Sequence, residues 1–159
     1  MRFNLILSII LVFIFASCAK PLMSAKVNKN VVYISKSVSA PKDKVFEAAT
    51  QAMGSGGYSI AVSDKKSGHI ESVWVASTSD SHYLELFDRR DYGVTGTYHQ
   101  LVVDISDDDG KTLVKVGSRI KTLAGGIKSS KIEEKSFLKR LGDFLRKGEP
   151  GITNLGITE

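Results

Sequence analysis

The feature that most limits how this chain can fold is its single cysteine, Cys18. It directly follows a stretch that begins with Arg2, continues as an almost wholly apolar run over Phe3–Phe15 and ends in small residues. A positive charge, a short apolar run and small residues before a cleavage point are typical of a secretory signal peptide. We therefore predict export, with residues 1–17 removed. An exported chain with one cysteine cannot form an internal disulfide, so packing alone must hold its domain together.

The residues Phe15-Ala16-Ser17-Cys18 resemble the lipobox of bacterial lipoproteins, in which the cysteine is lipidated and becomes the first mature residue. Phe15 departs from that pattern, where leucine is commoner. The resemblance implies a cell-membrane location through lipid on Cys18. Ala19 stands where an aspartate would signal inner-membrane retention, which implies the outer membrane, facing the periplasm, in a cell with two membranes. The alternatives are a plain cleaved signal and an uncleaved anchor, although the run is shorter than the roughly 20 residues of a spanning helix.

Composition places the rest of the chain among ordinary globular proteins. The mature chain is long enough for one domain with a real core. The formal net charge of +5 is modest, so it favours a solvated surface and gives no support to nucleic-acid binding. We predict a signal peptide over residues 1–17, a lipidated, lysine-rich tether over 18–30, a single α+β domain over 31–148 and a flexible tail over 149–159.

Alternation of apolar and polar residues predicts five strands. The first covers Val31–Val38, where Lys36 interrupts the apolar face and indicates a sheet edge or a strand end. An Asp-Gly pair, Asp109-Gly110, indicates a tight hairpin turn rather than a calcium loop. The remaining strands are predicted over Tyr58–Ser63, His69–Ala76, Tyr98–Ser106 and Thr112–Arg119.

Helical spacing predicts two helices, one near each end of the domain. The first follows Pro41, and its alanines Ala48, Ala49 and Ala52 would let it lie close to a sheet. The second begins at Ser130, where a glutamate three residues on completes a capping box. The order is therefore β-α-β-β-β-β-α, and two helices on one face of an antiparallel sheet are the economical packing.

The segment from Ala40 to Ser72 combines a Pro-started helix, Gly57-Tyr58, an alternating strand, a Lys-Lys-Ser-Gly turn and Ile70-Glu71-Ser72. In this succession the chain resembles the helix-grip domains of the outer-membrane assembly lipoprotein C family. The match covers a minor part of the chain and includes no signature residue. It implies a helix-grip-like two-layer sandwich and an envelope location, and nothing about activity.

Residues 77–97 are the most individual part of the domain, because they gather aromatic and charged residues between two predicted strands. Long loops in compact domains are often functional, and tyrosine and arginine dominate binding hot spots. The alternative is that Tyr83–Phe87 is another strand and Asp88–Gly96 a long hairpin loop. In either case we predict partner contact by Tyr83, Asp88, Arg89, Arg90, Asp91 and Tyr92.

The sequence contains no pattern that indicates catalysis or metal binding. His69, His82 and His99 are not spaced as metal ligands, and His69 and His99 are expected on strands as surface residues. There is no Gly-x-Ser-x-Gly motif and no convincing Ser/His/Asp set. We therefore expect no enzyme activity, no metal and no cofactor.

These features favour a membrane-anchored, non-catalytic protein-interaction or assembly module of the cell envelope. Its expected partners are the membrane, through Cys18, and an envelope protein. The alternative is a carrier or sensor of an apolar ligand or lipid, held in a helix-grip cavity between the C-terminal helix and the sheet. The small residues Ala48, Ala49 and Ala52 would leave room for it.

Overall fold

The computed structural model describes residues 25–28, 30–78, 80–87, 89–92, 96–123 and 125–147. The predicted signal peptide, Cys18, Asp88 and the predicted tail lie outside the described residues. The helices are α1 (Lys42–Ser55) and α2 (Ile132–Lys147). The strands are β1 (Lys26–Asn28), β2 (Tyr33–Val38), β3 (Ile60–Asp64), β4 (His69–Ser72), β5 (Val75–Ala76), β6 (His82–Leu86), β7 (Arg89–Tyr92), β8 (Tyr98–Asp108), β9 (Lys111–Thr122) and β10 (Ile127–Ser129).

The larger sheet is antiparallel and is built on the long β8–β9 hairpin. Its strand order is β1-β9-β8-β4-β3, with β2 also paired to β9 and β5 also paired to β8. The hairpin turns at Asp109 and Gly110, whose φ angles are 45° and 78°. Two consecutive residues with positive φ are what a two-residue hairpin turn requires, so the turn predicted from the Asp-Gly pair is confirmed.

The core lies between this sheet and both helices. Every second side chain of β8 and β9 points into the core, and apolar stripes of α1 and α2 pack onto the sheet face that these side chains form. Residues at 0–1% exposure include Val45, Ala49, Ala52, Met53, Leu101, Val103, Ile105, Val114, Val116, Phe137 and Leu141. The protein is therefore an α+β sandwich with an antiparallel sheet and two helices on one face, as predicted.

The N-terminal part of the domain begins earlier than predicted. β1 lies inside the predicted tether of residues 18–30 and pairs with the end of β9, from Lys26 opposite Thr122. It forms because β2 pairs only with the first half of β9, which leaves the second half of that edge open. Strand β2 also starts later than the predicted Val31, because the chain crosses over Gly117 there, where a Cβ would overlap the Val31 side chain. The predicted edge position of β2 is confirmed.

A second, smaller sheet of order β10-β6-β7 was not predicted as a sheet. The interpretation of Tyr83–Phe87 as a strand is essentially correct, since β6 covers most of it. The long loop predicted over Asp88–Gly96 is wrong, because β7 follows directly and pairs with β6 along its whole length. Charged residues dominate β7, so alternation of apolar residues gave no indication of a strand there.

The start of α2 differs from the predicted capping box. Ser130 does not pair with Glu133; its hydroxyl donates to the backbone oxygen of Ser81 at 2.9 Å. The hydroxyl of Ser129 donates instead to the carboxylate of Glu134 at 2.8 Å. Both serines thus tie the start of α2 to its neighbours, one of them to the segment that leads into the small sheet.

Candidate functional site

The β6–β7 hairpin brings three of the predicted contact residues onto one face. The register places Tyr83 opposite Tyr92 and Glu85 opposite Arg90, so their side chains share a side of the small sheet. The two tyrosine rings have centroids 5.6 Å apart, and the Arg90 guanidinium carbon lies 4.8 Å from the centroid of the Tyr83 ring. An arginine over a tyrosine ring is a cation–π contact. We call Tyr83, Glu85, Arg90 and Tyr92 the aromatic face.

The other predicted contact residues do not join this face. Arg89 and Asp91 are exposed but pair with Leu86 and Leu84, which places them on the opposite side of the small sheet. Asp88 lies outside the described residues. The six residues are thus consecutive or near in sequence, yet strand alternation divides those that the structure describes between two surfaces.

Phe87 is the hairpin residue that the sequence analysis missed. It occupies the turn between β6 and β7 with a φ of 47° and is 98% exposed. In the sequence Phe87 continues the preceding strand as its apolar end. The charged segment that follows it was the available signal for a turn. Tyr92 is 43% exposed and lies at the other end of the hairpin, so the hairpin exposes an aromatic ring at each end, with Arg89 and Arg90 between them in the sequence. Aromatic residues and arginine are enriched at the centres of protein interfaces.

The hairpin also presents a sheet edge. Among the described residues β7 pairs only with β6, so its other side carries unpaired backbone donors and acceptors. Charged residues such as Arg89 and Arg90 discourage unselective pairing at an edge. An edge of this kind can also accept a strand from a partner protein.

Beneath the small sheet lies a chain of buried hydrogen bonds. The His99 Nε2 atom is 2.8 Å from the Tyr58 hydroxyl, which donates to Glu133 at 3.0 Å. Because that carboxylate only accepts, Tyr58 must accept from Nε2–H, and His99 Nδ1 is left to accept from the Ser77 hydroxyl at 3.3 Å. His99 is 2% exposed, so its predicted surface position is wrong. Strand register places it on the core-facing side of β8.

Burial sets the protonation states of the residues in this chain of hydrogen bonds. Desolvation raises the pKa of Tyr58 far above its ordinary value, and the neighbouring Glu133 charge adds to the shift. Burial also lowers the pKa of His99. A serine that donates to a neutral histidine is one element of nucleophile activation. Ser77 lines none of the grooves described below, however, and the geometry is that of a structural link between the sheet and α2.

His82 connects the small sheet to the same interior. It is 3% exposed, and its ring centroid lies 4.9 Å from that of His99. Ser81 donates to the Thr78 backbone oxygen at 3.0 Å, so His82 Nδ1–H donates to Ser81 at 2.8 Å. His82 Nε2 is then a buried acceptor without a hydrogen-bond partner among the described residues. Burial, followed by the charges of His99 and Lys131, lowers the pKa of His82 to about 4.

A groove runs between β2, the start of α1 and the second half of α2. Its volume is about 270 Å³, and Lys36 stands at its mouth, with its Nζ 3.6 Å from the point that a Cβ on Gly142 would occupy. The apolar walls and further cations at the groove are Val38, Ala40, Leu138, Leu141, Leu145, Lys44 and Arg146. Ala48, Ala49 and Ala52, which were expected to leave room for a ligand, are buried among the core residues and do not line this groove.

Two further features concern metals and membranes. In the part of the chain that the structure describes, no group of three or more His, Cys, Asp or Glu side chains is placed to hold a metal ion. Over the same residues, no helix combines the length and apolarity that crossing a membrane requires.

Acid is expected to destabilise the domain through His82. Its pKa is about 4 in the fold and 6.5 ordinarily, so its contribution to stability is fully present above pH 6.5 and declines as the pH falls toward 4. Between pH 7.5 and 4.5 this amounts to about 2 to 3 kcal/mol. In urea unfolding, His82→Gln should reduce the acid-induced loss by that amount.

His69 provides the matched control, because its shift has the opposite sign. Its hydrogen bond to Asp104 (2.6 Å) and that to Glu71 raise its pKa. It therefore stabilises the fold below pH 6.5 and loses this contribution as the pH rises through its folded pKa. His69→Gln should make the acid-induced loss larger. Equal profiles for the wild type and His82→Gln would refute the assignment.

No family model and no curated protein matches the chain. Solved structures similar to it include an uncharacterised protein from Rhizobium leguminosarum, at 16% identity over 79% of this chain and 99% of that one, with a TM-score of 0.41. Ara h 8.0201 is 13% identical over 76% of this chain and 99% of its own, with a TM-score of 0.40. CalU16 from Micromonospora echinospora is 15% identical over 77% and 85%, with a TM-score of 0.36.

Proposed function

We propose that this protein is a membrane-anchored lipoprotein of the cell envelope that acts, without catalysis, as a protein-interaction or assembly module. The observation that carries the proposal is the β6–β7 hairpin, which exposes Phe87 almost completely at its turn and carries the aromatic face on its strands. The hairpin offers a partner an aromatic anchor, an arginine and an open strand edge within a few residues. Such a combination is typical of the energetic centre of an interface.

Magnitudes support this use of the hairpin. Burying a phenylalanine side chain contributes roughly 1.5 to 3 kcal/mol, and Phe87 makes almost none of that contribution in the free protein. Tyr83 and Tyr92 are already held against each other and against Arg90, so binding costs them little rotamer entropy. A lipid anchor on Cys18 would further raise the local concentration of the module for partners in the same membrane.

The anchor is tested by the intact mass of the protein extracted from its native membranes. We expect a chain without residues 1–17 that carries acyl chains on Cys18, because the lipobox directs cleavage before the modified cysteine. Cys18→Ala should carry no acyl mass. An unmodified mature chain from wild type would remove the anchor from the proposal and would favour the ligand carrier described below.

The hairpin is tested by photo-crosslinking in the native envelope. With p-benzoylphenylalanine in place of Phe87 or Tyr92, we expect a discrete crosslinked protein. Arg90→Glu should weaken the crosslink by removing the cation–π contact that holds the aromatic face together. The control position is Val73, which is 41% exposed and lies between β4 and β5 of the larger sheet. The same band from Val73, or no band from either hairpin position, would contradict the proposal.

A second candidate function is carriage of an apolar ligand in the groove between β2 and α2. The observation that favours it is Gly142, a glycine inside α2 at a position where no close neighbour prevents a larger residue. A Cβ at this position would meet only the Lys36 ammonium, at 3.6 Å. Helical glycine costs about 1 kcal/mol relative to alanine, and here it keeps open an apolar groove with cations around its mouth.

Native mass spectrometry of the protein purified from its source tests the groove. Wild type is expected to retain a bound small molecule, and Gly142→Leu is expected to lose it because the side chain fills the groove. Gly54→Leu is the matched control, since Gly54 lies in α1 with no atom within 4 Å of its added Cβ. Both variants should be at least as stable as wild type. An empty wild-type protein would eliminate this candidate.

A further inference from the structure

One surface patch lies where the chain enters the domain. Register across β1, β9 and β8 places Val27, Lys121 and Tyr98 in one row, on the sheet face turned away from the helices. Val27 is 42% exposed and Tyr98 45%. Leu123, at 52% exposure, follows this row, and its Cδ1 is 3.6 Å from the position of a Cβ on Gly96. We call Val27, Tyr98, Lys121 and Leu123 the tether patch.

The length of the chain before β1 brings this patch close to the proposed anchor. Ala25 is the first described residue. The chain from Cys18 to Ala25 can span at most about 25 Å, because an extended chain advances about 3.3 to 3.6 Å per residue. β1 begins at the next residue, Lys26. The exposed row that contains Val27 therefore lies within reach of the lipid surface.

Charge is distributed unevenly between the two ends of the β8–β9 hairpin. Lys26 and Lys121 lie at the end that receives the tether. The turn at the other end carries Asp107, Asp108 and Asp109, with Lys111 opposite Asp108. With about 3.3 Å per residue, β8 separates the two ends by about 33 Å. An anionic surface therefore attracts the tether end through its two lysines, whereas the far turn, where acidic residues outnumber the lysine, gains no such attraction.

We propose that the tether patch rests on the anionic surface of the bilayer that holds the anchor, and thereby fixes how the domain stands on the membrane. This inference rests on the lipid anchor proposed above. Tyrosine prefers the headgroup region, Val27 and Leu123 enter its apolar margin, and the lysines meet phosphates. A patch this small does not bind a membrane from solution. An anchored domain faces the surface at an effective concentration of about millimolar, at which weak contacts are occupied.

The test compares two valines as labelling sites in the acylated protein. Val27→Cys lies in the patch, and Val62→Cys lies on the same sheet face at the opposite edge, with exposures of 42% and 44% before substitution. Lipidation consumes Cys18, so each introduced thiol is the only one. Each variant carries an environment-sensitive fluorophore and is reconstituted into vesicles of phosphatidylglycerol with phosphatidylethanolamine, or of phosphatidylcholine alone.

We expect a blue shift and quenching by lipid-borne quenchers at position 27 in the anionic vesicles, reversed by high salt, and neither at position 62. Lys121→Glu should reduce the equilibrium constant for contact between the patch and the membrane at least fivefold, because the loss of one lysine near an anionic surface accounts for about that factor. Lys115→Glu is its control, on the same strand and the same face nearer the acidic turn.

Each other outcome overturns the inference in a recognisable way. Protein that floats with the vesicles but shows no shift at position 27 keeps the anchor and loses the patch. Protein that does not float loses the anchor as well. Equal shifts at positions 27 and 62 indicate unoriented contact. A shift at position 27 that requires added envelope proteins assigns the patch to a protein partner instead of lipid.

Discussion

The pairing of β8 with β9 is the interaction on which the rest of the structure depends. The two strands pair from Tyr98 opposite Lys121 to Asp108 opposite Lys111, and β1, β2, β4 and β5 all attach to one or the other. The core-facing side of this hairpin supplies the apolar surface on which both helices pack. The turn at Asp109-Gly110 fixes the register, and a shift by one residue would move every core side chain to the outer face. In a chain without a disulfide, this hairpin provides the main constraint on topology.

Polar contacts help to hold the small sheet to this framework. His82 packs against His99, and the hydroxyl of Ser130 reaches the backbone oxygen of Ser81. Buried polar groups favour one arrangement, because each alternative leaves a donor or acceptor without a partner. The aromatic face can therefore be both exposed and well placed. Its position is set by hydrogen bonds beneath it, and its exposed side chains, such as Tyr92, are available for contact.

Local signals in the sequence were sufficient for most of the fold and for part of the site. The Asp-Gly turn, the alanine stripe of α1 and the edge lysine Lys36 each depend on a few neighbouring residues, and each was predicted correctly. The buried position of His99 follows from the alternation of β8, because His99 shares a face with Leu101, Val103 and Ile105, and the sequence interpretation overlooked it. The pairing of β7 depends on a partner strand and is not written in apolar periodicity. Phe87 was missed because alternation extended the strand through it, whereas the turn begins there.

Strand β1 gives the N-terminal segment of the domain two possible lengths. Three residue pairs hold β1 to β9, and the described residues between β1 and β2 add no further ladder pair. A pull on the N terminus loads these pairs first. Separation of these pairs would release residues 26–32, which lengthens the extended chain before β2 by about 24 Å at 3.3 to 3.6 Å per residue. Under low force β1 therefore stays paired and keeps this N-terminal segment short. Under load its three pairs separate before the core unfolds.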